Sequence, residues 1–475
     1  MQEAVNWVIE ETKNANFGDK RLNKRCGDIL NKFASFPNRS IPGSFKSWHE
    51  TLAAYRFFNN ENVTAEEVLA SHKKATLERI KNEKIVLIPQ DTTEIDFTGR
   101  KPIAGMGFLS QENSHGFYLH PSIALTPERT CLGVTDVQTW TREELGTRNQ
   151  RKNKPIEEKE TYCWLKGYEA ANALALEAPT SIIISISDRE GDIYEVLEKM
   201  PSETNKAYWL VRCQHDRAIR KDENQDIELH LREAVAESKV IGEIEFKLPV
   251  GKIYNRDAGR RRPRTERLVR QEIRCSTVTL RPPHRKGKKL EPITINVVHC
   301  KEKNAPTSEE KIEWFLLTSL PVENGEKALE IVNWYLCRWQ IELFFKILKS
   351  GCKVEELQFD TFEATSNCIA FYMIAAWRIL YLTMLGRECP DMDCSSVFEI
   401  SEWQAVYAIV KKKSPPKHPP KLNEIILMIA KLGGFLGRRS DGYPGIKVMW
   451  IGMQRMRDFT MAWETFHSVG YKSYV

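Results

Sequence analysis

Ser181–Leu197 reads SIIISISDREGDIYEVL. Ile182, Ile183, Ile184 and Ile186 form a short β-branched run, too brief for an ordinary helix and bounded by serines, which reads as a buried strand. The run ends at Asp188, and a short helix is expected near Ile193–Met200. Upstream, KIVLIPQ (Lys84–Gln90) repeats the pattern and runs straight into Asp91. GFYLHPSIALTP and TCLGVTDVQTW flank a turn at Pro127–Thr130, as the arms of a hairpin would. A polar helical stretch over Ile156–Leu176 and a strand at Ala207–Cys213 complete the order β-β-β-α-β-α-β. A buried strand that ends in a carboxylate fixes the acid on a rigid core while the loop leaves it accessible. Either aspartate alone reads more readily as a turn former or helix cap. Two of them, with a third group, make a metal site worth testing.

The chain has 475 residues with 70 Lys+Arg, 64 Asp+Glu and a net charge of +6. Apolar residues at 41% and charged residues at 28% describe a globular protein and exclude disordered and fibrous classes. No run of about 18 uncharged apolar residues argues for a membrane span, and the N-terminus lacks an export pattern. Cytoplasmic residence is therefore expected. The 11 cysteines are scattered without a CxxC, so free thiols are expected. No zinc spacing occurs, so any metal is expected on oxygen ligands.

The net charge is unevenly placed. Gly251–Leu290 holds 14 Lys+Arg against three acids, +11 over 40 residues, which leaves −5 for the other 435. Such a block reads as a polyanion contact or as a solvated basic loop. Its cations are mostly arginine, whose planar fork suits phosphate oxygens.

Residues 1–80 read as a small helical domain. FGDKRLNKRCGDILNKFA, WHETLAAYRFF and VTAEEVLASHKKATLERI have helical periodicity, with Thr64 able to cap the third. Lys20, Arg21, Lys24 and Arg25 fall along one helix face. Several strand-like segments follow over about 240–303, then WFLLTSLPV and one long helix over about 327–349. Residues 359–475 read as mainly helical, interrupted by the Pro/Lys linker Lys411–Lys421.

On the long helix, steps of about 100° per residue put Tyr335, Arg338, Glu342, Lys346 and Lys349 within one wedge of about 80°. An ordinary amphipathic helix with an ion pair Glu342–Lys346 gives the same pattern. However, the spacing Tyr335-x2-Arg338-x3-Glu342-x6-Lys349 resembles the signature of the bacterial insertion-sequence-four family of DDE transposases. Asp91 in QDTTEI is similar to that family's first catalytic aspartate, and Asp188 in SDREGDIYEVL to its second. WFLLTSLPV, FGDKRLNKR with AAYRFFNN, and KLGGFLGRRSDGYPGIKVMWIGMQRM resemble the family's segments before the signature helix and at the two ends.

The resemblance implies an α/β, ribonuclease-H-like catalytic core over 81–358 with a β-rich basic insertion. It also implies an N-terminal helical DNA-binding domain over 1–80 and a C-terminal helical dimerisation domain over 359–475. It implies a cut-and-paste DNA transposase acting as a homodimer on transposon ends and target DNA, through nicking, a hairpin intermediate and strand joining. Two divalent ions, Mg²⁺ with Mn²⁺ as substitute, are expected to serve in-line phosphoryl transfer. Hard carboxylates from Asp91, Asp188 and Glu342 suit such ions. Tyr335, Arg338, Lys346 and Lys349 are expected on phosphates, and Trp314 under a base pulled from the stack. Trp339, Arg212, Arg21, Lys24 and Arg25 are further expected DNA contacts. A non-catalytic DNA-binding regulator, or another ribonuclease-H-like nuclease, remains an alternative.

Overall fold

A computed structural model describes residues 6–45, 47–111, 113–143, 154–219, 229–248, 251–255, 260–264, 266–285, 289–306 and 311–468, without the side chains of 248, 251–255 and 260–264. The chain divides into two compact units. The first comprises Met1–Pro155, Glu177–Ser181 and Trp339–Val475; the second comprises Ile156–Leu176 and Ile182–Arg338.

The first unit opens with α1 (Trp7–Thr12), α2 (Lys20–Ser35), α3 (Ile41–Ser44), α4 (Trp48–Phe58) and α5 (Ala65–Ile80). Side chains start these helices where the sequence offers them. Asp19, Ser47 and Thr64 accept the backbone N–H groups of Arg21, Glu50 and Glu67 that would otherwise lack a partner. In α2, Cys26, Ile29, Leu30 and Phe33 are buried on one stripe, while Lys20, Arg21 and Lys24 stay exposed and Arg25 is half-buried. Phe33 lies flat on Tyr372, with ring centroids 4.5 Å apart. Tyr372 belongs to the helix Phe362–Glu388, which is buried on nearly every face. That helix is the one described helix long and apolar enough to cross a membrane, and 94% of its apolar window is buried inside the protein. A helix apolar all round is what the centre of a fold requires.

The strands of this unit are β1 (Ile85–Pro89), β2 (Thr93–Asp96), β3 (Gly107–Phe108), β4 (His115–Leu125) and β5 (Cys131–Trp140). β4 is the hub, pairing antiparallel with all four others. The expected hairpin is β4–β5, and Arg129 takes a positive φ in its turn. The segment from Leu87 to Asp96 meets β4 in one unbroken register, through Leu87↔Leu125, Gln90↔Ser122 and Thr93↔Leu119. Asp91 lies opposite Pro121 and donates its N–H to the Pro121 carbonyl at 3.4 Å. Proline has no N–H to return. The ladder therefore thins between β1 and β2, at Asp91.

The second unit holds β6 (Ile182–Ser187), β7 (Tyr208–Arg212), β8 (Val240–Leu248), β9 (Gly251–Asn255), β10 (Arg260–Arg264), β11 (Arg267–Leu280), β12 (Ile293–Glu302) and β13 (Glu313–Thr318). β6 and β7 are parallel, and β13, β12, β11 and β8 follow antiparallel in that order. β9 and β10 form a separate two-stranded hairpin. The sheet is mixed and the fold α/β, as expected of a ribonuclease-H-like core carrying a β-rich insertion.

The long helix expected over about 327–349 is divided. Helix Gly325–Cys337 is capped by Asn324, then helix Trp339–Lys346 and a π-helical turn Ile347–Gly351 follow. At the division Arg338 N–H bonds the Tyr335 carbonyl at 3.0 Å, an i→i−3 closure tighter than the α pattern. Further on, Cys352 N–H reaches back five residues to Ile347 at 2.8 Å. A uniform step per residue does not carry across these two changes of pitch. No two of the eleven cysteines are bonded, as expected of free thiols.

Candidate active site

Asp91 is half-buried at the weak point of the β4 ladder, and its Oδ1 accepts the Thr92 N–H at 2.8 Å. Behind it, the Thr92 hydroxyl and the Gln90 side chain both meet His120 on β4, at 2.8 and 3.0 Å.

Asp188 follows β6 directly. It caps a 3-10 turn, its Oδ1 accepting the Glu190 N–H at 2.8 Å, so the helix-cap reading of this acid is correct. A cap does not use up a carboxylate, since one of its roughly four lone-pair sites is taken and the others stay available. Gly191 makes the turn possible, because a Cβ there would lie 2.3 Å from Ser187 Oγ. Asp192, 3% exposed, accepts the Gln214 and His215 N–H groups at 2.7 and 2.9 Å and pairs with Arg217. The last acid of DREGD is thus a brace for the loop after β7.

Beside Asp188 the second unit gathers a cationic and aromatic cluster. Tyr335 is 6% exposed; burial raises its pKa, Arg338 and Arg212 pull it down, and Asp188 pushes it up. Arg212 is half-buried, and burial lowers its pKa; Tyr335 raises it through charge and a hydrogen bond, while Arg189 and Arg338 lower it. Guanidiniums do not deprotonate in proteins, so this is a site of concentrated positive charge around one phenol. Trp314, half-buried on β13, stands 6.5 Å from the Tyr335 ring and 6.1 Å from the nearly parallel Phe246 ring. Asp188, Arg212, Trp314, Tyr335 and Arg338 are thus neighbours within one unit.

Glu342, Lys346, Lys349 and Trp339 belong to the first unit. Glu342 is half-buried and Lys346 exposed; Trp339 is 56% exposed. Lys349 pairs with Glu355 at 3.2 Å, and Glu355 also accepts the Asp96 N–H of β2 at 3.2 Å. The lysine is therefore held against the strand that follows Asp91. Among the described residues, no group of three or more His, Cys, Asp or Glu side chains forms a ready-made metal cluster. In chemistry, Asp91, Asp188 and Glu342 offer only hard oxygen donors, which fit a hard divalent cation.

Comparison with known proteins decides the family. A family model for the transposase DDE domain matches residues 137–378, about half of the chain. The chain belongs to the DDE transposases. Models for transposase DNA-binding and for the transposase Tn5 dimerisation domain match residues 4–63 and 374–468. A cryo-EM structure of a piggyBac transposase synaptic complex with hairpin DNA is similar at 8% identity, with a TM-score of 0.32, over 80% of this chain and 72% of that one. That score is too low to carry an inference. This transposase is accordingly a DNA endonuclease and strand transferase that depends on divalent metal, binds DNA and carries a dimerisation domain. Asp188 and Glu342 lie inside the matched DDE segment and Asp91 lies upstream of it.

The charge of the transposase is distributed differently from its composition in sequence. Arg267 pairs with Glu302, Arg270 with Glu245, Arg274 with Glu272, Arg285 with Glu195 and Lys289 with Glu291. Four of these acids lie outside the 40-residue window, so a count along the chain overstates the local charge. Arg256, Lys286 and Lys288 lie outside the described residues, as do the side chains of Lys252, Arg260, Arg261, Arg262 and Arg264. In the DNA-binding segment, Arg21 pairs with Asp19 at 3.5 Å. Sequence reasoning missed Arg189, Phe246 and His120. Arg189 had a signal, since it adjoins Asp188; the other two come from strands distant in sequence and meet the site only through tertiary contacts.

Proposed function

We propose that the chain is a cut-and-paste transposase that binds the inverted repeats at transposon ends, nicks them, forms and resolves a hairpin, and joins 3′ ends to target DNA. One observation carries the reading: Arg212 and Arg338 crowd Tyr335 beside Asp188, Arg189 adds its charge next to Arg212, and Trp314 stands against the Tyr335 ring. Such a surface suits a strongly negative backbone and an unstacked base next to a carboxylate. The Phe246–Trp314 pair supports a base-stacking role for Trp314, and Arg189 joins Arg212 and Arg338 as a phosphate ligand. Tyr335, being buried, acts by orienting the Arg212 and Arg338 guanidiniums.

Asp91, Asp188 and Glu342 would hold two Mg²⁺ ions, or Mn²⁺ in their place. When bound, the ions activate the attacking oxygen and stabilise charge on the leaving one. Lys346, Lys349 and Trp339 contact the flanking DNA, and Arg21, Lys24 and Arg25 the transposon end. The protein works in the bacterial cytoplasm as a homodimer in a synaptic complex. Its domains run over 1–80, 81–358 and 359–475. Asp91→Ala, Asp188→Ala and Glu342→Ala should each abolish Mg²⁺-dependent nicking of a duplex made from the gene's flanking inverted repeats, with binding retained. Undiminished nicking by any one removes that residue from the triad. Binding without any nicking by the unaltered protein would favour a non-catalytic regulator.

A further inference from the structure

We propose that His120 is a positioning residue for Asp91, acting through Thr92; the inference rests on Asp91 being a metal ligand. Residues 90 and 92 of an extended segment project to one face and residue 91 to the other. His120, on the partner strand and 0% exposed, meets both flanking side chains from that inner face. Its Nδ1 lies 2.8 Å from Thr92 Oγ1 and its Nε2 3.0 Å from Gln90 Oε1. An amide oxygen only accepts, so Nε2–H donates to Gln90 and Nδ1 accepts the Thr92 hydroxyl. The ring is neutral in this arrangement, and burial pushes His120 down to about 3, so it stays neutral across the working range.

Thr92 is the link. Its hydroxyl is fixed by His120, and its N–H donates to Asp91 Oδ1 at 2.8 Å. This bracing falls where the ladder is weakest, because Asp91 faces Pro121. The imidazole replaces, from the side-chain layer, the main-chain bond that proline cannot supply. A carboxylate that must present its oxygens to a cation is thereby kept in one rotamer before the cation arrives.

The test uses the full-length protein with Mn²⁺ alone, followed by electron paramagnetic resonance titration, and Mg²⁺ titration of end cleavage. Thr92→Val removes the hydroxyl at nearly constant volume and Thr92→Ser restores it. The expected result is a Mn²⁺ dissociation constant at least fivefold weaker in Thr92→Val and His120→Ala, recovered to within twofold in Thr92→Ser. The half-saturating Mg²⁺ should rise in parallel, with the rate at saturation much less affected. A purely structural role would lower the melting temperature and the rate at every Mg²⁺ concentration without moving the Mn²⁺ constant. If His120→Ala does not fold, the threonine pair decides. A Mn²⁺ constant in Thr92→Val within twofold of the unaltered protein, while Asp91→Ala loses binding, overturns the role of His120 alone. Unchanged Mn²⁺ binding in Asp91→Ala overturns the underlying assignment of Asp91 instead.

Discussion

Glu11 and His72 meet at 2.5 Å between Oε2 and Nδ1, with 2% and 0% of their surfaces exposed. Arg79 closes on the same carboxylate at 2.7 Å, and His72 Nε2 accepts the Val134 N–H at 2.9 Å. The cluster joins α1, α5 and β5, and Arg79 also lies over the Trp377 ring at 4.5 Å.

Acid should loosen this junction first. Burial raises the Glu11 pKa, but His72 and Arg79 outweigh it and hold the carboxyl at about 2, below its ordinary 4.5. Burial lowers the His72 pKa, against the attraction of Glu11. Both folded values lie below the unfolded ones, so both contributions are present at neutral pH. The histidine contribution fades as pH falls below about 6.5 and the glutamate contribution below about 4.5. The glutamate shift alone corresponds to roughly 3 kcal/mol. Glu11→Gln should lower the melting temperature at pH 7 and flatten its pH dependence between 5 and 3, measured by calorimetry. A dependence as steep as that of the unaltered protein would remove Glu11 as its source.

Gly191→Ala should cost far more than its size indicates. The new methyl would have to displace Ser187, and the turn that presents Asp188 would shift with it. We expect a destabilisation of about 2–4 kcal/mol and loss of nicking by more than tenfold. Gly445→Ala, where a Cβ meets nothing within 4 Å, is the control and should change stability by under about 1 kcal/mol.

Trp314→Ala should separate two steps of the reaction. Nicked DNA should accumulate at a near-normal rate while hairpin yield falls at least tenfold on denaturing gels, with Trp314→Phe intermediate. Normal hairpin formation by Trp314→Ala would place the stacking surface elsewhere.

The salt dependence of DNA binding should follow exposed cations rather than counted ones. Lys24→Ala removes an exposed charge on α2 and should reduce the slope of log K against log salt by about 1. Arg285→Ala breaks a pair with Glu195, which is 3% exposed, and should lower stability with little effect on that slope.

Local order was well written in the sequence. The apolar runs before Asp91 and Asp188 became β1 and β6, and Thr64 caps α5 as its position predicts. Short-range pattern determines such features because strands and caps are set by a few neighbouring side chains. Non-local pairing was not legible. Nothing in PQDTTEI announces that Pro121 will stand opposite Asp91, or that His120 will bridge Gln90 and Thr92. The division at Arg338 was equally hidden, since it is a change in hydrogen-bond pitch within an unbroken helical composition. Charge misled for a related reason: the acids that answer Arg267, Arg270 and Arg285 arrive from other segments by sheet pairing and loop packing.

The helix Phe362–Glu388 has a consequence for modularity. The matched DDE segment runs to residue 378 and the matched dimerisation segment begins at 374, so the seam between them falls inside this one buried helix. Phe371 and Tyr372 on one side of the seam, Trp377 within it, and Leu380, Leu382 and Leu385 on the other side are all buried. A chimaera spliced at that seam would have to match both halves of a single core element to their separate surroundings. Exchange of the C-terminal region between relatives should therefore succeed only when the whole helix travels with one parent, which makes it a unit of inheritance larger than either domain definition.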